Sequence, residues 1–134
     1  MPARAPKVAL LEASLGDGGE MIALAMEAGF DGIVLSAFGV GHTSAAMAGM
    51  AAKAAERMPV VLASRAGAGP VLESTYGFAG SERDLLAHGA IPAGWLDPRK
   101  ARILLSCLLA GGEQTDQISA EFTRRGGGLF DADQ

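Results

Sequence analysis

The chain has 134 residues, a formal net charge of −4 and a pI of about 5.1. This length is typical of one domain, and the acidic balance disfavours a nucleic-acid partner, which requires a basic surface. Hydrophobic residues make up 49% of the chain and charged residues 19%, which excludes a disordered composition. We therefore expect a single domain over residues 1–134, with a frayed tail at 126–134.

Membrane, leader and metal signals are also missing from the sequence. The apolar runs are all shorter than the ~20 residues of a membrane span, and no secretory signal is evident, so we expect a cytoplasmic protein without membrane contact. The single cysteine, Cys107, lies in an apolar run and is expected to be a small buried hydrophobe. No cluster of His, Cys and carboxylate residues has metal-ligand spacing, so neither a metal nor another cofactor is expected.

The first part of the chain predicts two buried strands with a helix between them. The apolar runs 8–11 and 32–35 have the composition of such strands. Apolar residues at helical spacing lie between the runs, and these are Met21, Leu24, Ala25 and Ala28. Gly29 follows this stripe and is expected to end the helix.

The middle of the chain predicts a second helix and a third strand. Thr43 or Ser44 is expected to cap this helix at its N-terminus. Its apolar face comprises Met47, Met50, Ala51, Ala54 and Met58. Pro59 ends the helix, because the residue before a proline avoids helical geometry, and the run 60–63 is predicted to be the third strand.

The second half predicts a long loop, a short helix, a weak strand and a longer helix. Glycines and prolines mark a loop from 64 to about 81, and a short helix is expected over 82–87. The segment 90–93 is a weak strand, whose proline fits only a sheet edge or a strand end. Asp97 precedes a proline and is expected to cap a helix over 98–109. The second half of that helix is apolar on nearly every side, so we expect it to be well buried.

The order of the elements predicts the fold class. Thr115 is expected to cap a last helix that carries Ile118 and Phe122. Strands alternate with helices along the chain, and the strands are continuous apolar runs, which indicates a parallel sheet covered on both faces. We predict a three-layer, flavodoxin-like (Rossmann-like) α/β domain with a roughly four-stranded parallel sheet. Its functional edge lies at the carboxyl ends of the strands, followed by the segments 39–44 and 64–81.

Five segments, in order, resemble the C-terminal domain of bacterial-type L-asparaginases. They are residues 5–8, residues 28–34 (AGFDGIV, beside the family's AGxDGIV), residues 39–42, residues 60–65 and residues 96–105. The last segment, LDPRKARILL, is the most specific, since the family pattern is LNPxKARILL. The resemblance extends over about residues 5–125, nearly the whole chain.

This resemblance implies an activity whose nucleophile lies outside the chain. Enzymes of the asparaginase/glutaminase family hydrolyse L-asparagine to L-aspartate and ammonia, with a nucleophilic threonine in a TGGTI motif of a larger N-terminal domain. Neither TGGTI nor the family's TDT motif occurs in this sequence. The resemblance therefore implies that this chain has no catalytic residue, that it partners an N-terminal asparaginase domain, and that it forms a homo-oligomer, either a dimer or a tetramer.

The resemblance also implies a role in binding the amino-acid substrate. In the family, this domain lends residues that hold the amino and carboxylate ends of the substrate in the site of an adjacent subunit. His42 lies where many members have an asparagine, and a histidine still donates or accepts a hydrogen bond there. Either Glu82 or Glu73 corresponds to the glutamate that binds the substrate ammonium, and Glu82 is preferred because it follows a glycine turn. The alternative roles are local backbone bonding for His42 and solvated loop charges for both glutamates.

A free-standing anion- or nucleotide-binding module is the alternative function. Gly39 and Gly41 follow a strand and precede a helix, a layout that suits an anion on backbone N–H groups. However, Ser44 stands where the dinucleotide fingerprint has its third glycine. The third strand leads to Ser64 and Arg65 rather than to an acidic residue that would bind a ribose.

Overall fold

The computed structural model describes residues 4–12, 18–37, 44–64 and 82–126 of the chain. Its strands are β1 (Val8–Glu12), β2 (Gly32–Ala37), β3 (Val60–Ser64) and β4 (Ile91–Pro92). Its helices are α1 (Glu20–Glu27), α2 (Ala45–Ala55), α3 (Glu82–Ala87), α4 (Pro98–Ala110) and α5 (Thr115–Arg125). Among the described residues, no helix is long and apolar enough to cross a membrane.

The four strands form one parallel sheet in the order β1-β2-β3-β4. The register places Ile33 of β2 beside Ala9 of β1 and beside Val60 of β3. The short strand β4 lies at the edge and ends at Pro92, a position that tolerates a residue without an N–H. The expected four-stranded parallel sheet is confirmed.

Helices cover both faces of this sheet and complete three layers. Successive residues of a strand point to opposite faces, so Ile33 and Leu35 pack with α1, α2 and α3, whereas Val34 packs with α4 and α5. Each face therefore has its own apolar core. The α/β class and the flavodoxin-like, three-layer layout expected from the sequence are confirmed.

Helix α1 faces the sheet with a different stripe from the predicted one. Met21 and Leu24 are 54% and 55% exposed and Ala28 is also exposed, so Ala25 alone of the predicted stripe is buried, together with Ile22, which the prediction left out. Two apolar stripes one residue apart have the same helical period, so periodicity alone does not show which one faces the core. The predicted helix end is confirmed, since Gly29 follows the C-cap Ala28 with a φ of +78°.

Helix α2 is oriented as its sequence predicts. Ser44 is its N-cap, and the Ser44 hydroxyl accepts a hydrogen bond of 3.1 Å from the Met47 N–H. Met47, Ala51 and Ala54 are buried, and Met50 packs at the boundary of the same core. The predicted apolar face is confirmed for these four residues, whereas Met58 lies beyond the helix, which ends at Ala55 rather than just before Pro59.

Helix α4 is much less buried than predicted. Ala101 and Leu105 face the sheet and are fully buried, but Ile103 is 59% exposed and Cys107 is exposed. The expectation that Cys107 is buried was wrong, because the sheet covers one side of α4 only. Asp97 caps the helix as expected, and its carboxylate accepts a 2.8 Å hydrogen bond from the Lys100 N–H.

Helix α5 begins one residue earlier than a Thr115 cap would require. Its N-cap is Gln114, whose N–H donates to Oε1 of Gln117 at 2.8 Å, so Thr115 is the first helical residue. A glutamine three residues after the cap serves as the acceptor here, and this capping box was overlooked in the sequence. Ile118 and Phe122 are buried as predicted.

The end of α5 meets the end of β4 through two glycines. The Trp95 N–H donates to the Gly126 carbonyl at 2.7 Å. Gly94 has a φ of +66°, and a Cβ placed on it would collide with the Gly126 carbonyl oxygen. A Cβ on Gly126 would likewise collide with the Ala93 carbonyl oxygen. Two backbones therefore touch directly at this point.

Candidate functional site

The carboxyl ends of three strands lie side by side at one edge of the sheet. Glu12 of β1 pairs with Ser36 of β2, and Ala37 of β2 pairs with Ser64 of β3. This edge, which we call the carboxyl edge, is where ligands bind in parallel α/β sheets. The strand order of the described sheet never reverses, so the sheet lacks the switch point at which doubly wound folds bind nucleotides.

Helix N-termini contribute positive electrostatic potential at the carboxyl edge. Helices α1, α2 and α4 each follow a parallel strand, so their first turns begin at this edge, at the N-caps Gly19, Ser44 and Asp97. The N–H groups of a first turn and the positive end of the helix dipole favour an anionic group. These N-termini favour an anionic group, whereas the carboxylates of Glu12, Glu20 and Asp97 at the same edge oppose one.

Gly19 brings the start of α1 into direct contact with α2. It has a φ of +88°, and a Cβ placed on it would lie 2.8 Å from the Cβ of Met50. Both the left-handed backbone and the close approach require glycine. The N-termini of α1 and α2 are thereby held next to each other.

The predicted site residues fall largely outside the described part of the chain. His42 and Glu73 lie outside it, as do Gly39 and Gly41. In the sequence, His42 lies between the last residue of β2, Ala37, and the N-cap of α2, Ser44. Glu82 is the first residue of α3. The substrate-binding roles of His42, Glu82 and Glu73 stay predictions.

One polar residue at the carboxyl edge was not singled out from the sequence. Ser36 is only 2% exposed, and it is the buried polar residue of the described core. It points to the α4 side of the sheet, two residues after Val34, and pairs with Ala63. A buried hydroxyl that lacks a partner costs about 1–3 kcal/mol. A serine at the end of an otherwise apolar strand run was the available signal.

A family model places the chain among known proteins. The model for the glutaminase/asparaginase C-terminal domain matches residues 7–122. The chain belongs to this family. A probable L-asparaginase of Deinococcus radiodurans is 42% identical over 118 residues, which are 88% of this chain and 35% of that protein. The predicted family resemblance is confirmed.

Two further proteins that are similar to this chain are an amidotransferase subunit and an asparaginase of known structure. One subunit of the glutamyl-tRNA(Gln) amidotransferase of Methanosarcina barkeri is 31% identical over 119 residues, which are 88% of this chain and 27% of that protein. The crystal structure of a probable cytoplasmic L-asparaginase from Campylobacter jejuni superposes with a TM-score of 0.73 at 30% identity. That match covers 87% of this chain and 34% of the other. The chain thus spans 27% to 35% of the length of these relatives.

The match to the asparaginase C-terminal family begins at a cluster of polar contacts that holds residues 4–7. The Arg4 guanidinium donates to both carboxylate oxygens of Asp31, at 2.8 and 3.2 Å. The Lys7 N–H donates to the same carboxylate at 2.7 Å, and the Lys7 ammonium lies 5.1 Å from the centre of the Phe30 ring. The Arg4 hydrogen bond, followed by the Lys7 N–H, lowers the pKa of Asp31 below its ordinary value. The start of this domain is therefore fixed to the turn between α1 and β2.

Metal ligands are not grouped anywhere in the described part of the chain. No three of its His, Cys, Asp and Glu residues lie close enough together to hold an ion. The expectation of no metal was made from spacing in the whole sequence, whereas the structure describes only part of it, so this expectation stays a prediction. At the carboxyl edge, the described residues offer backbone N–H groups and the hydroxyls of Ser36 and Ser44, beside the carboxylates of Glu12, Glu20 and Asp97.

Proposed function

We propose that this chain is the smaller domain of an L-asparaginase-type amidohydrolase that converts L-asparagine to L-aspartate and ammonia. The observation that carries the proposal is the family match over residues 7–122, together with 42% identity to a probable L-asparaginase. The sequence contains no TGGTI motif, so the nucleophile comes from a separate, larger domain. This chain alone is expected to be inactive.

The chain's own contribution is to bind and orient the substrate. Helix N-termini at the carboxyl edge favour the α-carboxylate of an amino acid, and a hydrogen bond from His42 supplements them. A glutamate, Glu82 or Glu73, pairs with the substrate ammonium through charge-assisted hydrogen bonds. Fixing both ends of the substrate aligns its side-chain amide with a nucleophile supplied by the larger domain.

The partners follow from this division of roles. The chain pairs with an N-terminal asparaginase domain, and the assembly is a homo-oligomer, a dimer or a tetramer. The substrate is a small amino acid, and no cofactor takes part. A place in the cytoplasm is supported by the Campylobacter jejuni relative, which is called cytoplasmic.

Ammonia release tests the proposed division of roles. The purified chain is expected to release no ammonia from L-asparagine above the buffer rate. Addition of the N-terminal domain of the Deinococcus radiodurans relative, prepared separately, is expected to produce asparaginase activity. Turnover by the purified chain alone would show that the nucleophile lies within these 134 residues and would refute the proposal.

Substrate-binding roles are tested in the reconstituted assembly. His42→Ala, Glu82→Gln and Glu73→Gln are compared one at a time. Loss of the glutamate that binds the ammonium is expected to raise KM by about 10-fold or more, since a charge-assisted bond contributes about 1.5–3 kcal/mol. Glu27→Gln is the matched control, because Glu27 is exposed at the end of α1 remote from the carboxyl edge. Unchanged KM values in all three variants would refute the assigned roles.

A second candidate function follows from the amidotransferase relatives. The Methanosarcina barkeri protein named as a subunit of glutamyl-tRNA(Gln) amidotransferase is 31% identical to this chain over 119 residues. On this candidate, the assembly would release ammonia for transfer rather than as an end product. The same reconstituted assembly distinguishes the candidates, since asparagine hydrolysis without any transfer partner favours the first. Saturable nucleotide binding by the isolated chain would instead favour the free-standing module.

A further inference from the structure

Helix α4 carries more apolar side chains than the sheet covers, and those left over line a groove with α5. The groove has a volume of about 410 Å³ and is lined by Lys100, Ile103, Leu104, Cys107, Leu108 and Arg125. We call it the outer α4–α5 groove. Ile103 is 59% exposed, the largest exposed fraction among the large apolar side chains of the described residues. A groove with such an apolar floor indicates a surface that another segment covers.

One end of the groove lies where the chain leaves α5. Gly126 directly follows α5, and its carbonyl accepts a hydrogen bond of 2.7 Å from the N–H of Trp95, two residues before the N-cap of α4. The end of α5 therefore lies beside the start of α4. Lys100 in the first turn of α4 and Arg125 at the end of α5 line the groove together. The chain beyond Gly126 thus begins at this end of the groove.

The sequence that follows Gly126 has a composition that suits the groove. Residues 127–134 lie outside the described ranges, and their sequence is GGLFDADQ. Gly127 and Gly128 give access to the backbone angles of a tight reversal, which most residues avoid. Leu129 and Phe130 are two adjacent large apolar side chains, whose removal from water is favourable. A potential turn is therefore followed at once by an apolar pair.

The apolar pair is close enough in sequence to reach the floor of the groove. A fully extended chain advances about 3.3–3.6 Å per residue, so Leu129 and Phe130 come within about 10–14 Å beyond Gly126. Helix α4 rises about 10 Å from Lys100 to Cys107, at about 1.5 Å per residue. The reach of the pair therefore matches the length of the apolar floor.

The charges of the groove and of residues 127–134 are opposite in sign. Lys100 and Arg125 are the charged residues that line the groove, whereas the segment carries Asp131 and Asp133. Lys100 is exposed and forms no ion pair within the described ranges. Opposite charges attract over about 8 Å at physiological salt, which favours the acidic segment in this groove. The adjoining depression is lined by equal numbers of acidic and basic residues, Glu113, Glu121, Arg124 and Arg125.

We propose that residues 127–134 fold back from Gly126 and cover the outer α4–α5 groove of the same chain, with Leu129 and Phe130 on its apolar floor. Attachment at Gly126 selects this occupant over a separate molecule, because a short linker holds the apolar pair at an effective concentration in the millimolar range. The sequence alone predicts a frayed tail, since composition does not show a partner for the apolar pair. The covered groove shields the thiol of Cys107.

The thiol of Cys107 tests this arrangement, because it belongs to the single cysteine of the chain and lines the groove. Alkylation by iodoacetamide, an uncharged reagent, is followed on the purified 134-residue chain. The double substitution Leu129→Ser and Phe130→Ser is expected to raise the rate about 10-fold or more, since two large apolar side chains leave the groove. Deletion of residues 127–134 is expected to give the same increase. Equal rates in the wild-type chain and in both variants would overturn the proposal.

Two further variants separate a contact in the groove from a general effect. Leu24→Ser is the matched control, since Leu24 is similarly exposed, at 55%, on α1 at the other face of the sheet. It is expected to leave the rate unchanged, and an increase as large as that of the tail variant would overturn the proposal. Ile103→Ser alters the floor itself, so the tail substitutions are expected to raise the rate less in this background than in the wild type. Equal increases in the two backgrounds would refute the contact.

Dilution distinguishes the tail of the same chain from other occupants. The rate constant is expected to be the same at about 1 µM and about 100 µM protein, because the contact is intramolecular. A rate that rises on dilution would show that a second copy covers the groove and would overturn the proposal. Melting followed by circular dichroism checks that each variant is folded. The proposal does not depend on the asparaginase activity, whose own tests are ammonia release and KM.

Discussion

Helices α2 and α4 are similar in length and are both rich in apolar residues, yet they bury them differently. In α2, the outward positions include Gly49 and Lys53, and the large side chains face the core. In α4, Leu105 is fully buried while Ile103 and Cys107 of the same helix face solvent. The two helices therefore have similar apolar content but different numbers of packing partners.

The difference reflects what surrounds each helix. Helix α2 contacts α1 on one side and α3 on the other, as well as the sheet, so its small alanines are enclosed by close neighbours. Helix α4 rests on β1, β2 and β3, and its outer side is covered by no described element. Apolar content in excess of what the fold covers is therefore a sign of a further contact surface rather than of a deeper core.

The largest expected change in the free energy of unfolding comes from a comparison of the buried and the outer side of α4. Leu105→Ala is expected to lower the free energy of unfolding by about 2–5 kcal/mol, because a fully buried leucine leaves a cavity. Ile103→Ala is the matched variant on the outer side and is expected to change it by about 1 kcal/mol or less, since no described helix or strand packs on that side. Urea unfolding of both variants at a concentration where the chain is monomeric gives the two values. Equal losses would show that the outer side of α4 is packed as closely as the buried side.

Two glycine substitutions compare the tight contact between α4 and the sheet with an open position on α2. A Cβ on Gly32 of β2 would lie 3.0 Å from a methyl group of Leu105 and 3.2 Å from one of Leu109. Gly32→Ala is therefore expected to cost about 1–3 kcal/mol through overpacking. Gly49→Ala on α2 meets open space and is expected to stabilise the protein by up to about 1 kcal/mol. Thermal unfolding should show melting temperatures that move in opposite directions, and a shift in the same direction would contradict the comparison.

The smallest expected change in the free energy of unfolding comes from the ion pair between Arg4 and Asp31, against which the apolar effects can be compared. Asp31→Asn removes the ion pair with Arg4, whose side chain is 54% exposed, so the cost at neutral pH is only about 0.2–1 kcal/mol. The folded state lowers the pKa of Asp31, so this contribution is present above the unfolded-state pKa of about 3.9 and is lost as pH falls through the lowered native pKa. Unfolding of both proteins by urea at about pH 7 and below about pH 3 measures it. A gap between the two proteins that persists at low pH would contradict this origin.

Much of the fold was predictable because its signals are local. The runs around Val8, Ile33 and Val60 indicated the strands, and Ser44, Asp97 and Gly29 marked helix ends through their own side chains or backbone freedom. The predictions that were wrong concern features that depend on residues distant in the sequence. Which stripe of α1 faces the sheet, and whether the outer side of α4 is covered, are decided by tertiary contacts that a periodic pattern does not contain.

The candidate site was predictable only in outline. The carboxyl edge follows from strand order, and the described strand ends lie there as expected. Ser36 was overlooked because its burial depends on packing across the sheet. His42 and Glu73 belong to connections rich in glycines, which have many allowed backbone angles, so spacing does not fix what their side chains contact.

The two touching backbones at Gly94 and Gly126 couple distant parts of the molecule mechanically. Side chains packed between two elements can change rotamer and absorb a small shift. At the contact of Gly94 with Gly126, no side chain lies between the two backbones. The hydrogen bond from the Trp95 N–H to Gly126 fixes the same joint. A displacement at the end of β4 is therefore passed directly to the end of α5.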